Sequence, residues 1–267
     1  MERIGKPIYL CTEIKNDKIM KKVNLLTALL VVLMSGAANA QEEEGSPLTY
    51  SAGVRSSEVW RGGYVCGLAG EGGIDFSAGG FSAGIASVFA IGKDTYNEFD
   101  WYASYSVKGF SLTLNDYCWT QADGFEYFGP YKENHYLELG VGYDFAECTD
   151  LPLSVSYNVM LAGANRKANG DQAHASYLEF CYAPSLECGI DLAFTLGAAI
   201  ESEEESAMYT RKDGFNFAVV GLDISKTYNL KNFCTVTPSV SAICNPTGPV
   251  GTEHGAMYFT AGVSFGF

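Results

Sequence analysis

Beyond residue 40 the chain contains no run of about 20 apolar residues, so it offers no helix able to cross a membrane. Basic residues are scarce. Counted from Gln41 there are 11 Lys and Arg against 28 Asp and Glu, a net charge of −17. That balance argues against nucleic acid or any other polyanion as a partner. Proline is sparse, at 8 residues, so little interrupts extended structure. Histidine is limited to three: His135, His174 and His254. No C-x-x-C pair occurs, and the seven cysteines after Ala40 are odd in number, so spacing defines no disulfide framework. Cys181 and Cys188 flank one turn and could pair across it; the rest read as small apolar strand residues. The Gly70-Glu71-Gly72-Gly73 stretch does not open a helix after a strand, so it is no phosphate loop. No cofactor or metal is implied.

The ends of the chain carry strong signals. Residues 20–40 read as a secretory signal: Met20-Lys21-Lys22, an apolar stretch from Leu25 to Met34, and Ala38-Asn39-Ala40 as a small-x-small cleavage site. Residues 1–19 fit neither a signal nor a strand and read as a gene-call extension. Residues 41–47, with Glu42-Glu43-Glu44, read as a short periplasmic leader. At the other end, Met257 to Phe267 alternates bulky apolar residues with small or polar ones and finishes on an aromatic. A strand between lipid and a water-lined interior has this pattern.

Period two persists through 48–267. It predicts strands at 48–60, 70–78, 81–90, 97–107, 110–119, 133–145, 152–163, 173–183, 186–200, 214–226, 233–243 and 256–267. Five connections are short and rich in turn formers: Gly79-Gly80, Lys108-Gly109, Cys148 to Leu151, Ala183 to Ser185, and Asn229 to Asn232. The other six, at 61–69, 91–96, 120–132, 164–172, 201–213 and 244–255, are longer and polar. Short and long alternate, as in membrane barrels with tight periplasmic turns and longer outer loops. The predicted fold is therefore all-β: a transmembrane, antiparallel, up-and-down β-barrel of about 12 strands, with both ends in the periplasm.

Facing follows from the same alternation. Phe99, Trp101, Ala103, Tyr105 and Val107 oppose Glu98, Asp100, Tyr102, Ser104 and Ser106. A Lys or Arg facing lipid at mid-membrane costs roughly 2–4 kcal/mol, and an acid somewhat less, so the acids are assigned to the lumen. The predicted lumen carries Asp75, Glu98, Asp100, Glu138, Asp144, Glu179 and Asp191, with Arg55 as its main cation. Such a lumen would prefer cations. The alternative is that these acids bond to neighbouring hydroxyls and fill the interior. Small lumen residues such as Gly140, Gly142, Ala193 and Gly197 favour open space. Trp60, Trp101, Trp119, Tyr143, Phe145, Tyr228, Phe233 and Phe265 are candidates for aromatic girdles. Phe265 and Phe267 are candidates for the segment read by the outer-membrane assembly machinery. The histidines fall at outer strand ends or loops near Glu133, Asp171 and Glu253, where a general base or a metal ligand could sit. No accompanying nucleophile marks an enzyme. Glu201, Glu203, Glu204 and Glu205 read as a solvated outer loop.

Ser56-Ser57-Glu58-Val59-Trp60-Arg61-Gly62 resembles the opening segment of the TorF family of porin-like outer-membrane barrels. The resemblance continues at Gly73-Ile74-Asp75-Phe76, Gly80-Phe81-Ser82-Ala83-Gly84, Glu98 to Tyr105, and Asn134 to Tyr143, roughly the first half of the mature chain. The chain departs from the family in lacking its Tyr before Trp-Arg-Gly and in its many cysteines. The resemblance implies a porin-like channel for small solutes in a bacterial outer membrane, bordered by lipid and lipopolysaccharide. The alternatives are a non-conducting barrel that displays loops, and a rim-sited enzyme.

Overall fold

The computed structural model describes residues 47–121, 124–201, 207–231, 233–250 and 255–267. The segments read as extension and signal peptide, and all of the leader except Pro47, lie outside the described residues.

Twelve strands form the wall: β1 (Leu48–Arg55), β4 (Ala69–Ala78), β5 (Phe81–Ala90), β6 (Asn97–Val107), β7 (Phe110–Trp119), β8 (His135–Asp144), β9 (Leu153–Gly163), β10 (Ser176–Tyr182), β11 (Asp191–Glu201), β12 (Gly214–Ser225), β14 (Cys234–Cys244) and β15 (Met257–Gly266). Each pairs antiparallel with its neighbours in the wall. β1 closes the cylinder against β15, with Ser51 opposite Gly266 and Arg55 opposite Gly262. β13 (Tyr228–Leu230) extends the place of β12 along β14. Among the described residues every wall strand has a hydrogen-bonded neighbour on each side, although β15 runs past β1 from Met257 to Thr260 and β12 runs past β14 from Gly214 to Val219.

Two of the short turns are of the primed type that suits a twisted hairpin: Gly79 and Gly80 have φ of 59° and 85°, and Lys108 and Gly109 have 49° and 83°. Strands β5, β6 and β7 match their predicted limits. Two others do not. β11 starts at Asp191 rather than 186, because residues 186–190 close their own turn: Leu186 N–H donates to the Ile190 carbonyl at 2.8 Å, with Gly189 at φ 73°. Cys188 therefore sits in that exposed turn while Cys181 stands in β10, and both are free thiols rather than a bridge.

The larger departure is at the first strand. β1 leaves the wall after Arg55, and residues predicted as strand end and outer loop form a separate two-stranded sheet: β2 (Glu58–Trp60) and β3 (Gly63–Cys66). Arg61 and Gly62 make its turn, with φ of 46° and 78°. This hairpin folds into the cylinder, and its tip reaches the opposite wall.

The faces follow the predicted alternation. Tyr105, Val107, Leu112, Val141, Phe194, Leu196, Val220, Val240 and Phe259 are exposed on the outside and belong to one apolar belt around the wall. The inner face carries hydroxyls, amides and the wall acids other than Asp116, among them Asp75, Glu138, Glu179 and Asp223. Register shifts interrupt the ladders beside Glu138 on β8 and beside Ala198 on β11, which places the extra residues Leu161 in β9 and Ala218 in β12. Both lie near the seat of the hairpin tip, where bulges re-aim the local backbone.

Candidate functional site: an arginine-tipped hairpin across the interior

The primed turn puts Arg61 at the apex of the hairpin, and the surrounding wall is built to receive it. Arg61 Nη2 donates to Glu138 Oε1 at 2.9 Å, and Nη1 donates to Glu138 Oε2 at 2.5 Å, a two-point contact between guanidinium and carboxylate. Nη1 also lies 2.9 Å from the Tyr209 hydroxyl. The Tyr117 hydroxyl donates to Glu138 Oε1 at 3.1 Å. Aromatic rings surround the cation, with centroids at 4.7 Å (Trp60), 4.5 Å (Tyr177) and 5.4 Å (Tyr209). Glu138 is fully buried, so this pairing satisfies a charge that would otherwise be left alone in the interior.

Next to Arg61, Gly62 lies against the carbonyl of Ala218. A Cβ at Gly62 would stand 2.1 Å from that oxygen. Asn245 Nδ2 donates to the Tyr209 carbonyl at 3.0 Å and approaches the Gly62 carbonyl at 3.4 Å. Tyr209 is held by Glu201, whose carboxylate accepts from the backbone N–H groups of Met208, Tyr209 and Thr210 and from the Thr210 hydroxyl. Glu201 is thus a buried organiser of the loop rather than part of a solvated acidic run. Glu203, Glu204 and Glu205 lie outside the described residues.

Beneath the tip is a cavity of about 290 Å³, lined by Val59, Trp60, Arg61, Tyr177, Glu179, Thr195, Asp223 and Ile243 among others. Glu179 accepts from the Tyr177 hydroxyl at 2.8 Å, and Asp223 accepts from the Ser241 hydroxyl.

The hairpin base faces a second charged group. Arg55 pairs with Glu71 on β4, and its Nη1 lies 3.1 Å from Glu58 on β2, at ion-pair distance without hydrogen-bond geometry. Burial is the main force pushing the Glu58 carboxyl up to about 7; Glu71 and Glu98 add to the rise, and Arg55 opposes it. Glu98 accepts from the Tyr96 hydroxyl at 2.5 Å, Asp100 from the Cys118 N–H at 3.3 Å, and Asp75 from the Tyr102 hydroxyl at 2.6 Å.

The structure therefore gathers Arg55 and Glu98 around the hairpin base and puts Glu138 and Glu179 at its tip. Asp75 and Asp100 stand on the wall strands β4 and β6. Asp144 and Asp191 sit at turns. Asp144 accepts from the Ala146 N–H at 2.9 Å, and Asp191 accepts from the Ser185 hydroxyl at 2.6 Å. Phe267 exchanges two backbone hydrogen bonds with Tyr50, at 2.8 and 3.1 Å, and packs edge-on to Phe233; Phe265 stands opposite Ala52 and Val236.

Sequence reasoning missed Arg61, Tyr209 and the inward hairpin. The signal was present: Glu58-Val59-Trp60 and Tyr64-Val65-Cys66 are short β-prone runs around Arg-Gly. Trp60 and Trp119, predicted for girdles, lie in the interior cluster instead. Trp119 stacks on Tyr136 at 4.1 Å and meets Trp60 at 5.8 Å. Gly140, Gly142 and Gly197 are seats for neighbouring side chains rather than open space. A Cβ at Gly197 would stand 2.0 Å from the Tyr177 hydroxyl oxygen, and one at Gly140 would stand 2.6 Å from the Asn158 side chain.

The two described histidines are engaged separately. His135 Nδ1 lies 2.9 Å from Asp116 and Nε2 lies 2.7 Å from the Tyr127 carbonyl, while His174 Nδ1 lies 2.9 Å from the Met160 carbonyl. His254 and Glu253 lie outside the described residues. Among the described residues no three His, Cys, Asp or Glu side chains converge as a metal site.

No family model matches the chain, and no curated protein does. Among solved structures, it is similar to the NanC porin, at 12% identity and a TM-score of 0.46, over 82% of this chain and 98% of that one. The KdgM porin in complex with disordered oligogalacturonate gives 12%, 0.45, and the same coverage. The translocator domain of the autotransporter NalP from Neisseria meningitidis gives 11% and 0.42, over 92% of this chain and 97% of that one.

Proposed function

We propose that this chain is a bacterial outer-membrane barrel that passes small solutes by diffusion through an interior narrowed by the β2–β3 hairpin. One observation carries the reading: a closed twelve-stranded wall with an apolar outer face and a polar, acid-bearing inner face. Lipid can satisfy no open sheet, and among the described residues every wall strand has a neighbour on each side. The outer belt would contact lipid and lipopolysaccharide, and the Phe265–Phe267 terminus would serve the assembly machinery.

Twelve strands lie between barrels filled by side chains, at about 8, and those with a broad aqueous channel, at 16–18. The hairpin occupies much of what is left. The acids Asp75, Glu98, Asp100, Glu179 and Asp223 have no cation paired to them in any ion pair found among the described residues, whereas Arg55 and Arg61 are both paired. These carboxylates support a negative field along the path and a preference for cations.

The same Arg61–Glu138 contact favours a second reading, a barrel sealed by its hairpin that only displays loops. Single-channel recording on the refolded mature protein in planar bilayers separates the two. Discrete small currents are expected. Complete absence of current from demonstrably folded protein would leave the sealed barrel as the function.

A further inference from the structure

Three features of the hairpin are not needed for a fixed plug. Among the described residues it joins no wall strand in a sheet ladder; β2 and β3 ladder with each other. An isolated two-stranded hairpin is marginally stable, so its position depends on what its tip and base touch. At the tip, the charged contact is a single side chain, Arg61 on Glu138. Finally, the cavity beside Arg61 presents two further carboxylates, Glu179 and Asp223, whose partners are hydroxyls. A guanidinium that leaves Glu138 on that side keeps counter-charge, which removes its own share of the cost of breaking a buried ion pair; Glu138 keeps the Tyr117 hydroxyl as a donor.

We propose that the β2–β3 hairpin is a gate and that the Arg61–Glu138 contact is its latch, with release of the latch widening the solute path. This inference rests on the channel reading. At the base, the chain leaves the wall through Ser56-Ser57 and returns through Gly67, whose N–H donates to Asp94 at 2.8 Å in an exposed contact. These are the two points about which the hairpin can turn.

The test is planar-bilayer recording on the full mature barrel, with folding verified by heat-modifiable gel mobility. Glu138→Gln keeps the volume and the acceptor oxygen but removes the charge; Arg61→Ala removes the latch entirely. Both are expected to raise mean conductance at least about threefold over wild type by shifting the population of the released state. The exchange R61E/E138R is expected to return it toward wild type, an effect that loosened packing alone would not produce. A barrel with residues 57–66 replaced by a short Gly-Ser linker gives the fully open reference. If the linker barrel conducts well but E138Q and R61A equal wild type, the hairpin is a fixed constriction and the latch is overturned. If the linker barrel is folded and silent, the channel reading fails, and the latch fails with it.

Discussion

Asp116 Oδ2 lies 2.9 Å from His135 Nδ1 on the outer side of the wall, where β7 and β8 run together. Asp116 shares the outer face with Trp101 and Leu137, its partners in the ladder. It is nonetheless buried, because the segment before β8 lies over it. Tyr131 stacks on His135 at 4.7 Å, and Tyr127 meets both His135 and Phe99 edge-on. Asp116 also accepts from Trp101 Nε1 at 3.0 Å and from the Tyr131 hydroxyl at 2.7 Å. A carboxylate on the apolar face is tolerated because donors surround it and aromatic rings cover it.

Asp116→Leu removes the acceptor shared by three donors. The variant is expected to unfold from lipid vesicles at lower denaturant, with a loss of about 3 kcal/mol. A change below about 0.5 kcal/mol would show that the covered pair contributes little.

Gly62 brings the hairpin backbone against the β12 carbonyl of Ala218. Gly62→Ala places a methyl group against the Ala218 carbonyl, at a φ of 78° that L-residues rarely adopt. The tip is expected to lift. Cys66, 1% exposed on β3, reports this through maleimide labelling quantified by mass spectrometry. Strain of roughly 1–3 kcal/mol corresponds to an increase in labelling of roughly 5- to 150-fold. Unchanged protection would mean that the seat yields.

Glu58 makes the hairpin sensitive to pH. Its folded-state value, about 7, is above the ordinary 4.5, so the folded protein favours the protonated carboxyl. The stabilisation is fully present below about pH 4.5 and is lost as pH rises through about 7. Denaturant midpoints are expected to fall between about pH 5 and pH 8 by the equivalent of on the order of 2 kcal/mol. Glu58→Gln is expected to flatten that interval. A wild-type profile already flat there would contradict the assignment.

Glu98 and Asp100 are adjacent inner-face acids of β6. Changing both to lysine is expected to move ion preference toward anions, read as a reversal-potential shift in a KCl gradient. If the barrel conducts and selectivity is unmoved, these acids do not border the path.

Much of the wall was legible from the chain. Strands β5, β6 and β7 fall at their predicted limits because alternation and Gly-rich turns are local properties. The facing of Glu98, Asp100, Glu138 and Glu179 follows from the same period. What fills the cylinder was not legible. The Gly197 position reads as open until β10 is known to send Tyr177 over it, and Asp116 reads against the pattern until Tyr127 and Tyr131 are seen to cover it.

Alternation, turn chemistry and the cost of charge in lipid were enough, from sequence alone, to define a twelve-stranded antiparallel cylinder. Tertiary structure decided that residues 58–66 leave the wall and cross the interior. Arg61 and Glu138 are 77 positions apart, and only closure of the barrel brings β8 opposite the end of β1. A contact of that range depends on how the whole ring is assembled, which no local periodicity encodes.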